Sequence, residues 1–156
     1  MRQSGRIAVN GQRKSWLAET RPADQLFIVV LRRWLDGPEG QQAVWNGLAE
    51  EVGPHPARRI LRAFEAFLAA LSLGLVRPIT RHPACCSCVG ADELLLADMV
   101  RAAGQGDHET AASRSAEVVR AADRAIVIER AERLGLLIDD IGLDPVSGLE
   151  ARARLH

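Results

Sequence analysis

The chain has 156 residues, of which 47% are apolar and 26% are charged, as in an ordinary globular protein. This length suits one domain with a substantial core, and the composition excludes a disordered chain. The formal charge is zero, but residues through Arg81 carry 12 basic and 7 acidic side chains, and the remainder carries 8 and 13. That asymmetry indicates either a polyanion-binding half or two halves that attract each other.

The first residues, MRQSGRIAVNGQRKSW, lack the apolar stretch of a secretion signal. The longest apolar run, 67–76, is interrupted by Ser72 and Gly74 and is too short to span a bilayer. Three cysteines within four positions do not form the loop-closing disulfides of a secreted scaffold, and they favour a reducing compartment. We therefore expect a cytoplasmic protein without a membrane segment.

Apolar residues recur at helical spacing through most of the chain, and no alternating strand pattern of useful length occurs. Glycine and proline residues separate three predicted helices in the N-terminal half, at 22–35, 38–52 and 56–76. The third is expected to be central because it has the widest apolar stripe, which comprises Ile60, Leu61, Phe64, Phe67, Leu68, Leu71 and Leu75.

The C-terminal half continues the helical pattern, with predicted helices at 92–103 and 108–120. The pattern alone leaves open whether 107–135 forms one helix or two. We favour a break near 121–123, because an unbroken helix would be more than twice the usual length. Gly135 is predicted to end the last helix as its C′ residue.

These elements predict an all-α protein, a single-domain bundle of five or six helices packed around the central helix. An irregular loop at 77–91 contains the cysteines and one histidine. We expect residues 1–20 to form a loose N-terminal arm whose Trp16 docks on the core. The helical domain then covers 21–138, and 139–156 form a partly ordered tail.

The loop is the one stretch of the sequence where metal or thiol chemistry is plausible, because His82, Cys85, Cys86 and Cys88 place four donors within seven residues. Imidazole and thiolate are ligands that suit zinc, which takes four of them in a tetrahedron. We predict His82, Cys86 and Cys88 as the core ligands. The fourth donor is left open between Cys85, His55, His108 and Asp92.

Two other interpretations of the loop stay open. The cysteines could be small residues of an inert structural turn, since free cysteine is often buried. Alternatively, Cys88 could be a reactive thiol with Cys86 or Cys85 as its resolving partner, because the amides of a helix N-terminus lower a thiol pKa. The negative charges of Asp92 and Glu93 in the same turn oppose that effect.

The motif H-x-x-x-C-x-C-V-G-A-D-E, formed here by residues 82–93, resembles a small bacterial family of all-helical proteins with no assigned function. The likeness extends to the segment LRRWLDGPEGQQAVWN at 31–46, so that about two thirds of the chain is covered. The resemblance implies an all-helical fold and no activity. It favours His82, Cys86 and Cys88 over Cys85, which lies outside the shared pattern.

No phosphate-binding loop, dinucleotide fingerprint or catalytic motif occurs in the sequence. Our first hypothesis is therefore a non-enzymatic protein that binds a protein partner and has a zinc-stabilised loop. Its contact regions would be the arginines of the third helix or the C-terminal tail. Trp45 and the apolar surfaces of the first and last helices could also support a homodimer.

Two alternatives come from different classes of protein. One is a thiol redox enzyme or sensor that uses Cys86 and Cys88. The other is a nucleic-acid-associated regulator with an arginine-rich face, although the neutral charge and missing contact motifs argue against it. That face would comprise Arg32, Arg33, Arg58, Arg59 and Arg62. For the three arginines at the start of the third helix, Arg58, Arg59 and Arg62, a solvated face is the simpler interpretation and an anion site is the alternative.

Overall fold

A computed structural model describes residues 15–142, and predictions for 1–14 and 143–156 lie outside the described residues. Within this range the chain forms six packed helices and one short antiparallel ladder, and no helix is long and apolar enough to cross a membrane. The predicted all-α bundle is confirmed. The elements are β1 (Ser15–Trp16), α1 (Pro22–Trp34), α2 (Pro38–Val52), α3 (Pro54–Gly74), β2 (Cys88–Val89), α4 (Ala91–Gly104), α5 (His108–Val118) and α6 (Arg124–Asp140).

The first three helices begin at prolines, as the sequence predicted. Proline is suited to a first helical turn because its fixed φ is helical and its missing N–H has no intrahelical acceptor there. The prediction that Pro56 begins the third helix is wrong, because α3 begins at Pro54. Both prolines lie in the first turn of α3, where neither costs a backbone hydrogen bond. Gly37 and Gly53 precede α2 and α3 with φ of 101° and 91°, which favours glycine at both positions.

Aromatic side chains join α1 to α3 at the centre of the core. The ring of Phe27 meets the rings of Phe64 and Phe67 edge-on, at centroid distances of 5.9 and 6.0 Å. Trp34 makes a similar contact with Phe64 at 5.9 Å. α3 also packs against α2 and α6, while α4 packs against α1, α5 and α6. α6 likewise packs against three helices, α3, α4 and α5, so the central position that the sequence assigned to α3 is shared with α4 and α6.

The predicted break between α5 and α6 is confirmed. α5 ends at Val118, and Val119 is extended and forms a bridge with Leu75 at the end of α3. Backbone bonds on both sides of the bridge, from the N–H of Val76 to the carbonyl of Val118 and from Arg120 to Gly74, hold the two segments together. A short 3-10 turn over Ala121–Asp123 then leads into α6.

The prediction that Gly135 ends the last helix is wrong. α6 continues through Gly135 to Asp140, two residues beyond the predicted domain boundary at 138. Gly135 instead provides room for α4. A Cβ on Gly104 would lie 2.7 Å from the carbonyl carbon of Gly135, and a Cβ on Gly135 would collide with the carbonyl oxygen of Val100. The two helices can approach this closely because neither has a side chain at the crossing.

The end of the predicted N-terminal arm is bound to the loop at 77–91, which we call the cysteine loop. β1 pairs with β2 in the register Ser15 to Val89 and Trp16 to Cys88. The N–H of Leu17 then donates to the carbonyl of Ser87 at 2.8 Å. Leu17 is buried, whereas Trp16, the predicted docking residue, is 43% exposed. The arm therefore inserts Leu17 into the core and leaves Trp16 at the surface.

We predict that Gly135→Ala lowers the free energy of unfolding. The added methyl group overpacks the contact between α4 and α6, which costs about 1–3 kcal/mol, and alanine's helix propensity offsets about 1 kcal/mol of that loss. Urea unfolding followed by circular dichroism measures the change. The control is Glu132→Ala on the exposed face of the same helix. An unfolding free energy for Gly135→Ala at or above that of the control would contradict the proposed helix contact.

Candidate metal centre

The loop between α3 and α4 brings three of the predicted donors together. The Nδ1 atom of His82 lies 3.2 Å from the Sγ atom of Cys88 and 3.8 Å from that of Cys86. The two sulfur atoms are 2.6 Å apart, and both thiols are free. The three ligand atoms all lie within 4.8 Å of one another, so His82, Cys86 and Cys88 could hold a metal ion. They form the one such group found in residues 15–142.

The remaining candidate donors lie outside this group. Cys85 is exposed and is not among the three converging ligand atoms. Asp92 is engaged elsewhere, because its carboxylate accepts hydrogen bonds from Arg77. His55 and His108 are exposed at the starts of α3 and α5 and do not join the cluster. Among the described residues, none of the four alternatives for a fourth donor is therefore placed with the three.

A buried ion pair lies against the backbone of the cysteine loop. Arg32 of α1 is 1% exposed, and Glu93 in the first turn of α4 is fully buried. The guanidinium group donates two parallel hydrogen bonds to the Glu93 carboxylate, from Nε at 2.7 Å and from an Nη atom at 2.8 Å. It also donates to the carbonyl oxygens of Cys86 and Cys88, each at 2.7 Å. One side chain therefore fixes the backbone of both cysteines.

The same carboxylate positions the histidine. The backbone N–H of His82 donates to one oxygen of Glu93 at 3.0 Å, and that of Gly90 donates to the other at 2.9 Å. Burial alone would raise the pKa of Glu93. The hydrogen bonds from Arg32, Gly90 and His82 outweigh burial and hold its pKa below the ordinary value. Glu93 is thus an anion whose two oxygens fix both ends of the motif.

A second, more exposed pair fastens the beginning of the loop to α4. The Asp92 carboxylate accepts two hydrogen bonds from Arg77, at 2.8 and 2.9 Å, and a third from the backbone N–H of Thr80 at 2.8 Å. The Arg77 guanidinium is the main cause that lowers the pKa of Asp92. Consecutive acidic residues at the start of α4 therefore hold two separate parts of the loop.

The two thiols have different electrostatic environments. The pKa of Cys86 is lowered, chiefly by its hydrogen bond with the Cys88 thiol, and the pKa of Cys88 is raised, chiefly by the same hydrogen bond. Cys86 is therefore the more acidic thiol. The thiol hypothesis assigned the reactive role to Cys88 because it precedes a helix. The contact between the two thiols instead favours Cys86 as the thiolate.

Neither Arg32 nor Glu93 was predicted from the sequence as a site residue. Arg32 was instead predicted to belong to an arginine-rich nucleic-acid contact, and that assignment is wrong because the side chain is buried and paired. A signal was present, since Arg32 lies four residues after Ile28 and therefore falls on the apolar stripe of its helix. An arginine on such a stripe requires a buried anionic partner.

The arginines of α3 lie where the simpler interpretation placed them. Arg58, Arg59 and Arg62 are all exposed. The guanidinium of Arg58 lies 6.0 Å from the centroid of the Trp45 ring, at the outer limit of a cation–π contact. Trp45 itself is only partly buried against the core. These side chains form a solvated surface at the start of α3.

Comparisons with known proteins do not assign the chain to a family. No protein-family model matches it, and searches of curated proteins and of solved structures returned no significant match.

We predict that Arg32→Met lowers the free energy of unfolding by about 3–5 kcal/mol, because it leaves the Glu93 carboxylate buried without its counter-ion. It also removes both hydrogen bonds to the cysteine carbonyls. Urea unfolding measures the loss. The matched control is Arg62→Met on the exposed face of α3, which should change the stability by less than about 0.5 kcal/mol. Similar losses in the two variants would refute a structural role for the buried pair.

Proposed function

We propose that this chain is a non-enzymatic helical binding protein whose loop is stabilised by zinc held by His82, Cys86 and Cys88. The observation that carries the proposal is the convergence of three ligand atoms within 4.8 Å on a backbone held by a buried ion pair. Zinc is the metal that best suits one imidazole and two thiolates. A reducing compartment such as the cytoplasm keeps these thiols available to it.

Metal binding requires a small adjustment at the sulfurs. Two thiolates on one tetrahedral zinc lie about 3.8 Å apart, given Zn–S bonds of about 2.3 Å. The sulfurs of Cys86 and Cys88 are 2.6 Å apart, so they must separate by about 1 Å, given the same bond lengths. Rotation of the side chains can supply this movement while Arg32 continues to hold the two carbonyl groups. The preformed backbone lowers the entropic cost of assembling the ligands.

The surroundings of the donors support a binding role over a hydrolytic one. A zinc hydrolase needs a general base near the metal, and a carboxylate often serves. Each carboxylate oxygen of Glu93 accepts two hydrogen bonds, and the Asp92 carboxylate accepts three in total. Neither carboxylate can take a proton from a substrate without leaving an arginine unpaired.

The partner would be a protein that contacts the arginine surface of α3, which comprises Arg58, Arg59 and Arg62, or the C-terminal tail.

We predict that the purified chain binds one zinc ion and that bound zinc stabilises it. At free zinc roughly 100-fold above the dissociation constant, the free energy of unfolding should rise by about 2.7 kcal/mol, and a chelator should reverse the gain. Elemental analysis and thermal unfolding measure the two effects.

Single-residue variants test the ligand assignment. His82→Ala, Cys86→Ser and Cys88→Ser should each abolish stoichiometric zinc binding, whereas Cys85→Ser should retain it. The Cys85 variant is a matched control because it removes a thiol from the same loop. Protein prepared without chelator that contains no zinc, or equal losses in all four variants, would rule out the proposed site.

A thiol function is the second candidate, and the sulfur separation of 2.6 Å favours it. A disulfide has an S–S bond of about 2.05 Å, so a small approach would bring the sulfurs of Cys86 and Cys88 to bonding distance. An oxidised small-molecule disulfide could accept the two electrons. The Cys86 thiolate would attack one of its sulfurs and release a thiolate, and the Cys88 thiolate would then displace the second, forming the Cys86–Cys88 bond.

For the thiol candidate we predict that Cys86 reacts with iodoacetamide faster than free cysteine does at neutral pH, because its pKa is lowered. Mass spectrometry of a Cys85→Ser variant, in metal-free buffer, measures the rate. After exposure to oxidised glutathione, the same variant should lose two hydrogens and gain no adduct. Alkylation no faster than that of free cysteine would eliminate this candidate.

A further inference from the structure

The residues that converge at the candidate metal centre supply three donors, one fewer than tetrahedral zinc requires. The two carboxylates at the start of α4 are committed to arginines, with Glu93 bound to Arg32 and Asp92 bound to Arg77. Among residues 15–142, no further His, Cys, Asp or Glu joins the group. Zinc sites with three protein ligands use the remaining position for a molecule from outside.

A cavity adjoins the candidate centre at Cys86. Its volume is about 1160 Å³, which is enough for a small molecule. Its lining combines the apolar side chains of Trp16, Leu17, Val29 and Pro83 with the charged side chains of Glu19, Arg32, Arg33 and Asp36. Because Trp16 is 43% exposed, the indole is accessible at the cavity wall. Cys86 belongs both to this wall and to the metal cluster, so a ligand in the cavity can reach a metal on its sulfur.

We propose that the fourth position on the metal binds the thiolate of a small organic thiol that lies in this cavity, an inference that rests on the zinc site proposed above. As the sulfur–metal bond forms, the thiol proton passes to solvent, and no oxidation occurs. Two thiolates already make the metal soft, which favours a third sulfur donor over oxygen. The apolar side chains of the lining can pack against the hydrocarbon part of such a thiol.

The experiment uses the full chain loaded with cobalt(II), whose absorption reports the number of sulfur ligands, and a phosphine reductant in place of a thiol. The resting spectrum should indicate two sulfur donors. Titration with 2-mercaptoethanol should strengthen the sulfur-to-cobalt absorption and saturate at one thiol per metal. Ethylene glycol, which has an oxygen in place of the sulfur, is the matched control and should cause no change.

Two variants sharpen the test. Cys85→Ser should behave like the wild-type chain in the titration, because Cys85 is not a ligand. Trp16→Ala should bind benzyl mercaptan about tenfold more weakly, because it removes an aromatic contact from the cavity wall, while its cobalt affinity stays unchanged. Unchanged binding of benzyl mercaptan in that variant would overturn the assignment of the cavity.

Three other outcomes would overturn the inference and leave the metal site intact. The resting spectrum could indicate three sulfur donors, one of which is lost in Cys85→Ser. The sulfur-to-cobalt absorption could stay unchanged when thiol is added, or the thiol could remove the cobalt from the protein. The proposed function would fail in a different way. Either cobalt and zinc would not bind at all, or they would bind equally well when Cys86 and Cys88 are both serine.

Discussion

The buried ion pair between Arg32 and Glu93 is the interaction on which the loop and its donors depend. Burying two charges costs several kcal/mol per ion unless each finds good partners. Here each nitrogen of the guanidinium donates to a carboxylate or carbonyl oxygen, and both carboxylate oxygens accept from the guanidinium and from a backbone N–H. The ion pair therefore obtains its hydrogen-bond partners by ordering the backbone of the loop. For this reason the ion pair and the ordered loop form together.

Helix α4 holds the loop at its first turn and packs closely against the backbone of α6 at its last residue. Its first turn provides Asp92 and Glu93, which hold the loop, and the negative charges are favourable there because they oppose the positive end of the helix dipole. Its last residue, Gly104, packs directly against Gly135 of α6. The short ladder between β1 and β2 adds the N-terminal segment to the same end of the helix. A metal on His82, Cys86 and Cys88 would thus stabilise contacts among elements from both halves of the chain.

Much of the fold could be predicted because the signals are local. The spacing of apolar residues and the prolines located α1 and α2 to within one residue, and the break before α6 followed from helix length alone. Two of the failures concern glycine and proline, whose preferences admit more than one structure. Gly135 is compatible with a helix end and with a helix crossing, and only the position of α4 distinguishes the two. Pro54 and Pro56 could each begin a helix, and the first turn of α3 contains both.

Local sequence signals were enough to predict the helical class and the three donors of the candidate centre, because hydrophobic periodicity and the clustering of His82, Cys86 and Cys88 are properties of neighbouring residues. The surroundings of those donors follow instead from how the helices pack. Arg32 and Glu93 are 61 positions apart, and their pairing depends on the packing of α1 against α4. The exclusion of Cys85 likewise depends on how the loop turns. A long-range ion pair of this kind cannot be predicted from local sequence. An arginine on an apolar stripe indicates that a buried anionic partner exists, but it does not indicate which residue that partner is.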